Sequence, residues 1–477
     1  MKQEYHLLEN YDWVGIFEII GEEDCKFSGK LVWDKIDGIT LTMLLTEREA
    51  QTFSKLKKSF DIKGYSFLDN NKYLVYLINC YNTNTNNNCV LGSAISVEVI
   101  KAQYLLLSNP SHDYFNKGKL QDFSSCKVEF INLEEFCALR VKEPKKELLS
   151  FQLDEKLKVS FCVNQTHSCL ERIYFALIDK SNIELDIVID ISDVNQGICK
   201  LRNMLSVFLG KTSYVKKIVL KCGSKPIDCF VNVNFITNNN KIAFLKEDYQ
   251  QKWNIKQNNP VNINTLEDND YKQIVKEFFC IHKNNFKLIE TLLDSISTQT
   301  VYFYDARSRL VMLMSVIGEL GCSPKDIVDK FSTKEIWQAF INILKDPVSD
   351  KCGCNLESAW KESNKSDKSA QFMGVFLSWL RATIIHNNKE DPKDELKSKF
   401  KKKSIKVLDS YLDYWVINKD IIIHNMNIIL YILLMCILFD KIGFCKDSLV
   451  EITKRLLHSK YGTYKCDDKI GIIFSKM

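Results

Sequence analysis

Gln371-Phe372-Met373-Gly374-Val375-Phe376-Leu377-Ser378-Trp379-Leu380-Arg381-Ala382-Thr383-Ile384-Ile385-His386-Asn387 decides how the second half of this chain is read. Phe372, Met373, Phe376, Leu377, Leu380 and Ile384 recur at helical spacing, so the stretch predicts an amphipathic helix with one buried stripe. Arg381 sits beside that stripe, one turn past Leu377. A guanidinium there needs a carboxylate partner, or it must line a cleft. Of the seven histidines, only His386 has an arginine upstream at a gap of four to six residues. An arginine and a histidine placed close together suit metal-independent cleavage of RNA. The imidazole can take the proton of a ribose 2′-hydroxyl, and the guanidinium can neutralise the phosphorane that forms next.

The geometry sets a condition on that chemistry. Five residues of ideal helix turn about 500°, so Arg381 and His386 point about 140° apart. They meet on one substrate if the arginine reaches round, if the helix ends before Asn387-Asn388, or if a second subunit brings its own copy. The plainer reading is a structural ion pair at Arg381 and a helix-end histidine that the C-terminal dipole favours. The residues just beyond His386 tip the balance. Lys389, Lys393, Lys397, Lys399, Lys401, Lys402, Lys403 and Lys406 make a cationic strip that would collect phosphates, its plain alternative being a solvated loop.

Working outward, the period stays helical from about residue 269. Tyr271–Ile296, Tyr302–Leu320, a segment begun by Ser323-Pro324, then Ser404–Trp415, Ile421–Phe439 and Ser448–His458 predict an all-α region spanning 269–477. Lys345–Lys368 is polar and predicts a loop. The polar stretch 251–268, with Gln257-Asn258-Asn259-Pro260, predicts a linker. Before it, residues 1–250 predict strands. Gly38-Ile39-Thr40-Leu41-Thr42-Met43 alternates, while Lys72–Ile78 and Glu184–Asp190 are more continuously apolar. Leu157–Val163, Tyr214–Lys221, Cys229–Phe235 and Lys241–Leu245 are further strands, with one helix at Gln196–Gly210. The class is therefore α+β: a β-rich first region, one large sheet or two smaller ones in sandwich fashion, followed by a helical bundle.

The chain has 477 residues, a net charge of +5 and 45% hydrophobic residues, which suit a soluble globular protein of two or three domains. Seventeen scattered cysteines without a C-x-x-C predict reduced thiols in a cytoplasm. Cys352-Gly353-Cys354 has no histidine nearby in sequence, so no metal and no cofactor are expected. Ile421–Phe439 carries His424, Asn425 and Asn427, which predicts a buried bundle helix and no membrane span. Nucleophile elbow, Walker loop and metal-spaced cluster are all missing.

Three stretches carry a family resemblance. Tyr11-Asp12-Trp13, Gly29-Lys30-Leu31 and Ile39-Thr40-Leu41 near the start, with Leu205-Ser206-Val207-Phe208-Leu209-Gly210 and Tyr214 later, resemble the N-terminal domain of ApeA-like antiphage proteins. Leu380-Arg381 through His386-Asn387 resembles the HEPN ribonuclease motif, and Arg309-Leu310 through Gly318-Glu319-Leu320 is similar to the helix that precedes it. The resemblance implies a homodimer, or a higher homo-oligomer through the HEPN region, that cuts RNA (tRNA being one option) in response to a phage-derived trigger and aborts infection. It assigns Arg381 and His386 as catalytic, Glu319 as an acid orienting the arginine, and Asn387 as a phosphate contact beside Lys389, Lys393, Lys401, Lys402 and Lys403. Ala382 stands where many members place a polar residue. That substitution favours the alternative, a non-catalytic dimeric sensor recognising a phage product or glycan.

Overall fold

Strict alternation in the first hundred residues puts one side chain in two on the inside of a barrel. In the computed structural model the described residues are 5–54, 59–68, 71–83, 95–111, 115–116, 119–120, 123, 125–130, 136, 147–152, 157–166, 169–179, 191–210, 212–222, 225–232, 261, 271–284, 286–297, 303–320, 326, 330, 334–344, 367–385, 392–403, 407 and 409–461. The expected strands at Glu184–Asp190 and Lys241–Leu245, and all of the expected linker except Val261, lie outside them. The chain divides into two compact units. The first is Met1–Glu134, Leu139–Asn203 and Ser213–Trp253; the second is Glu135–Ala138, Met204–Thr212 and Asn254–Met477. A β-rich first region followed by a helical second region makes the protein α+β.

The first unit opens with β1 (Tyr11–Ile19), β2 (Glu22–Asp34), β3 (Gly38–Thr46), helix α1 (Glu47–Ser54), β4 (Phe60–Leu68), β5 (Asn71–Asn82) and β6 (Ile95–Ala102). They pair antiparallel in the order β5-β4-β1-β2-β3-β6, and β6 pairs back on β5 through Tyr81↔Lys101 and Asn82↔Ile100, which closes a six-stranded barrel. Closure leaves these strands no free edge inside the ring. Trp13, Phe17, Phe27, Leu31, Trp33, Leu41, Met43 and Ile62 are buried. Gly15 faces Gly29 across the β1/β2 pair, and Gly64 faces Phe17 across β1/β4. A Cβ on Gly64 would lie 2.5 Å from the Ile16 carbonyl oxygen and 2.5 Å from a Phe17 ring carbon. Glycine here lets two backbones close around a phenylalanine.

A kink makes the closure possible. Asn79 on β5 adopts φ 54°, a left-handed conformation that asparagine tolerates, opposite a register shift in β4. Its amide N–H donates to Asp61 Oδ1 at 2.8 Å, and its side-chain nitrogen donates to Gln103 Oε1 at 2.8 Å. Beyond Gln103 the chain continues as β7 (Tyr104–Ser108), which keeps pairing with β5. The opposite edge changes partner there, from β3 along β6 to a later strand, β15, along β7. At that junction Asn232 N–H donates to the Gln103 carbonyl, and the Asn232 side chain crowds Gly38, whose φ is +78°.

The remaining strands extend the sheet from β7. After a short hairpin, β8 (Phe115–Asn116) and β9 (Lys119–Leu120), come β10 (Ser125–Phe130), β11 (Glu147–Gln152), β12 (Leu157–Thr166) and β13 (Cys169–Asp179). Helix α2 (Ile191–Leu209) precedes β14 (Val215–Cys222) and β15 (Lys225–Val231). The order β7-β15-β14-β10-β13-β12-β11 completes one thirteen-stranded sheet. Residues 229–231 of the expected Cys229–Phe235 strand form the end of β15, and the rest of that strand, apart from Asn232, lies outside the described residues.

The second unit contains α3 (Tyr271–Asn284), α4 (Phe286–Ser297), α5 (Phe303–Glu319), α6 (Lys334–Leu344), α7 (Asp367–Ile385), α8 (Pro392–Lys402), α9 (Asp409–Ile417), α10 (Lys419–Lys441) and α11 (Lys446–Tyr461). Two expectations need correction. Tyr271–Ile296 is two helices on either side of Asn285, because the apolar stripe restarts after the polar Lys283-Asn284-Asn285. The lysine-rich segment after His386 contains a helix, α8, whose Leu396 and Phe400 are buried, and α9 begins at Asp409 instead of Ser404. Few apolar residues interrupt so many lysines, which hid the period.

α10 is the spine. Sixteen of its residues, from Ile422 to Phe439, are buried. Among the described residues it is the one helix long and apolar enough to cross a membrane, yet 83% of its most apolar window is buried within the protein. Several of its polar groups bond to neighbours, although Asn427 Oδ1 is buried with no partner among the described residues. Asn427 Nδ2 donates to the Ala306 carbonyl at 2.8 Å, and Arg307 forks onto Asp420 through Nε at 2.9 Å and Nη2 at 2.7 Å. Phe208 of α2 belongs to this unit too, with its ring against Phe136, Phe278, Phe439 and Phe444.

Candidate functional site

Aromatic packing fixes the helix that carries Arg381. Phe372 stacks on Phe400 of α8 with ring centroids 4.8 Å apart, and Phe376 meets Trp415 of α9 edge-on at 5.3 Å. Trp415 Nε1 donates to the Leu344 carbonyl at 2.9 Å, which locks α9 to the end of α6. Phe372, Met373, Phe376, Leu377 and Leu380 are all buried, and so is Trp379, which the expected stripe omitted. Ile384 is only half-buried. Its place near the end of the stripe goes to Thr383, whose hydroxyl donates back to the Leu380 carbonyl at 2.8 Å.

Arg381 is half-buried on this rigid helix, and its Nε–H is buried with no hydrogen-bond partner among the described residues. An unpaired buried donor costs about 1–3 kcal/mol. A structural ion pair for this arginine has no counterpart among the described residues. The described helix ends at Ile385, which is exposed; His386, Asn387 and Lys389 lie outside the described residues.

The other site residues divide clearly. Glu319, the last residue of α5, is exposed and pairs with Lys287 of α4, not with Arg381. Lys393, in the first turn of α8, is held by Asp413 at 2.6 Å. Lys397 binds Asp409 at 2.8 Å and Lys399 binds Glu395 at 2.6 Å, so three of the strip's six described lysines are internally neutralised. The Lys397 contact pulls the Asp409 carboxyl below its usual range. Lys401, Lys402 and Lys403 are exposed at the C-terminus of α8, where the helix dipole favours cations. The Phe372–Phe400 stack puts that end of α8 beside the first half of α7. Nine residues separate Phe372 from Arg381, roughly 13 Å of helix. The three lysines and the arginine therefore sit toward opposite ends of the α7–α8 hairpin.

A second imidazole near a guanidinium went unnoticed in the sequence. His424 on α10 is half-buried, and burial followed by the charge of Arg309 on α5 lowers its pKa from the ordinary 6.5. Only the α5/α10 packing brings them together, so no spacing rule could have found them. Among the described residues no group of three or more histidine, cysteine or carboxylate side chains is placed to hold a metal. Seven described cysteines are free thiols, five of them with pKa values raised chiefly by burial. Cys352 and Cys354 lie outside the described residues.

No curated protein matches the chain. No solved structure matches it either. Residues 12–258, just over half of the chain, do match the family described as ApeA N-terminal domain 1, over the barrel and its sheet extension. The chain accordingly belongs to the ApeA N-terminal domain 1 family, a family of antiphage defence proteins.

Proposed function

We propose that this defence protein acts as a metal-independent endoribonuclease of the HEPN type, with Arg381 and His386 as its catalytic pair. The observation that carries the reading is the Arg381 Nε–H, buried without a partner among the described residues on a helix clamped by Phe400 and Trp415. A guanidinium N–H left open in this way is suited to meet an anion during function. His386 comes next in the chain after a gap of four residues. In the proposed reaction His386 removes the proton from a ribose 2′-hydroxyl. The resulting oxygen attacks the adjacent phosphorus while Arg381 neutralises the equatorial oxygens, and the P–O5′ bond breaks. His386 returns the proton to the departing 5′-oxygen. The products carry a 2′,3′-cyclic phosphate and a 5′-hydroxyl. Lys401, Lys402 and Lys403 are suited to hold the RNA backbone away from the scissile bond. Glu319 is not given a role in orienting Arg381, since its described partner is Lys287. A homodimer through the helical region is the assembly this chemistry favours, because it offers a second route to unite Arg381 and His386.

The experiment compares RNA cleavage in EDTA by the wild type, Arg381→Ala and His386→Ala. The expectation is cleavage by the wild type alone, with 5′-hydroxyl ends that a polynucleotide kinase labels directly. Equal cleavage by all three proteins refutes the assignment.

A further inference from the structure

Helix α2 holds a positive charge that no described carboxylate cancels. Arg202 lies midway along it and is half-buried. Ile198, one turn before it, and Leu201 and Asn203 on either side are all buried. Its Nη2 donates to Asn203 Oδ1 at 3.1 Å, a bond to a neutral amide that uses one of five guanidinium N–H donors. The titratable groups that act on it are Cys199, one turn back on α2, and Tyr214, just before β14. Neither is charged at neutral pH. Burial raises the Cys199 thiol above its ordinary 9.0, and a tyrosine ionises near about 10. Burial also lowers the Arg202 pKa below the ordinary arginine value, as for a cation drawn out of water without a counter-charge. Other arginines are better served: Arg307 has Asp420 at 2.7 Å, and Arg455 has Glu451 at 3.0 Å.

We propose that Arg202 anchors an oxyanion, the phosphate or carboxylate group of a small ligand, in the first unit. A guanidinium cannot shed its proton, so a fold that draws one out of water has to meet its charge with an anion. A carboxylate of the protein would do this, and none of the described ones pairs here. Methionine would fill the same place on the helix without an unmet charge. The guanidinium fork matches two oxygens of a single phosphate or carboxylate group. Asn203 takes one N–H and so fixes the plane of the fork, which leaves the other donors for the ligand. Tyr214, half-buried, can add a hydroxyl donor. Apolar surroundings strengthen each of these bonds relative to water. Arg202 is half-buried among its neighbours, so a compact group reaches it more readily than a flat protein surface. It takes no part in the ribonuclease reading.

The test titrates inorganic phosphate, and in a second arm acetate, into full-length protein by isothermal titration calorimetry. Sodium chloride holds the ionic strength constant, so that general screening is the same throughout. Arg381→Met is present in every sample, which keeps the guanidinium proposed to meet RNA from contributing heat. At least one of the two anions should bind this protein, and the arm that shows binding tells phosphate from carboxylate. Adding Arg202→Met should weaken that binding at least about tenfold, as the loss of charge-assisted hydrogen bonds does. Arg202→Lys keeps the charge without the fork and should weaken it by a smaller factor; it is the variant read if Arg202→Met does not fold. Unchanged affinity in the variant read overturns the proposal. So does the absence of binding by both anions to the protein that retains Arg202.

Discussion

Replacing Arg381 with methionine should make the helical unit more stable. The two side chains have similar helix propensity and share an unbranched apolar stem, so neither α7 nor its packing against Phe400 and Trp415 need change. What disappears is a buried Nε–H without a partner among the described residues. The penalty for such a donor is about 1–3 kcal/mol, and because the residue as a whole is only half-buried the gain is placed near the lower end, about 1 kcal/mol. For a unit of this size that is roughly 2–4 °C in unfolding temperature. The opposite role predicts the opposite sign, since breaking a buried ion pair costs about 3–5 kcal/mol. Urea unfolding followed by far-ultraviolet circular dichroism, which reports mainly on the helices, separates the two. A midpoint that rises while RNA cleavage is lost fits an arginine kept for its chemistry at a cost in stability. An unfolding free energy lowered by more than about 2 kcal/mol refutes the reasoning and makes Arg381 structural.

The packing dictates two other outcomes. Gly64→Ala should destabilise the barrel by about 3 kcal/mol, because its Cβ meets a carbonyl and a ring carbon 2.5 Å away, whereas Gly318→Ala, in open space on α5, should gain about 0.5–1 kcal/mol; thermal unfolding of both variants checks the contrast. His424 has a folded pKa below its ordinary 6.5, so the folded protein binds that proton less readily than the unfolded chain. Its contribution is complete above about pH 6.5 and declines as pH falls through the lower folded value, and His424→Gln should flatten that slope in urea midpoints measured across the range.

The α+β class and the buried spine were legible because each rests on a local period. Gly38–Met43 alternates and became β3, while Lys72–Ile78 is continuously apolar and Leu74, Val75, Tyr76, Leu77 and Ile78 of β5 are all buried. The barrel was not legible. Its closure depends on Asn79, Gln103 and Asn232, three polar residues distant in sequence whose role exists only after the strands have met. At the candidate site, the spacing identified Arg381 and His386 but gave no orientation for either. The lysine strip looked uniform because charge counts ignore partners, yet Asp409 and Asp413 take two of its members. Glu319 looked available for the same reason, and Lys287 holds it.

Residues 135–138 and 204–212 precede the apparent boundary in the chain but are part of the helical unit, and Phe136 and Phe208 lie in its aromatic core. A protease nick near residue 253 therefore cannot hand over a finished C-terminal fragment. The fragment would leave behind two phenyl rings and gain a void that large-to-small replacements show to cost several kcal/mol. Recombinant pieces trimmed at the obvious seam will therefore misreport the stability of the helical unit.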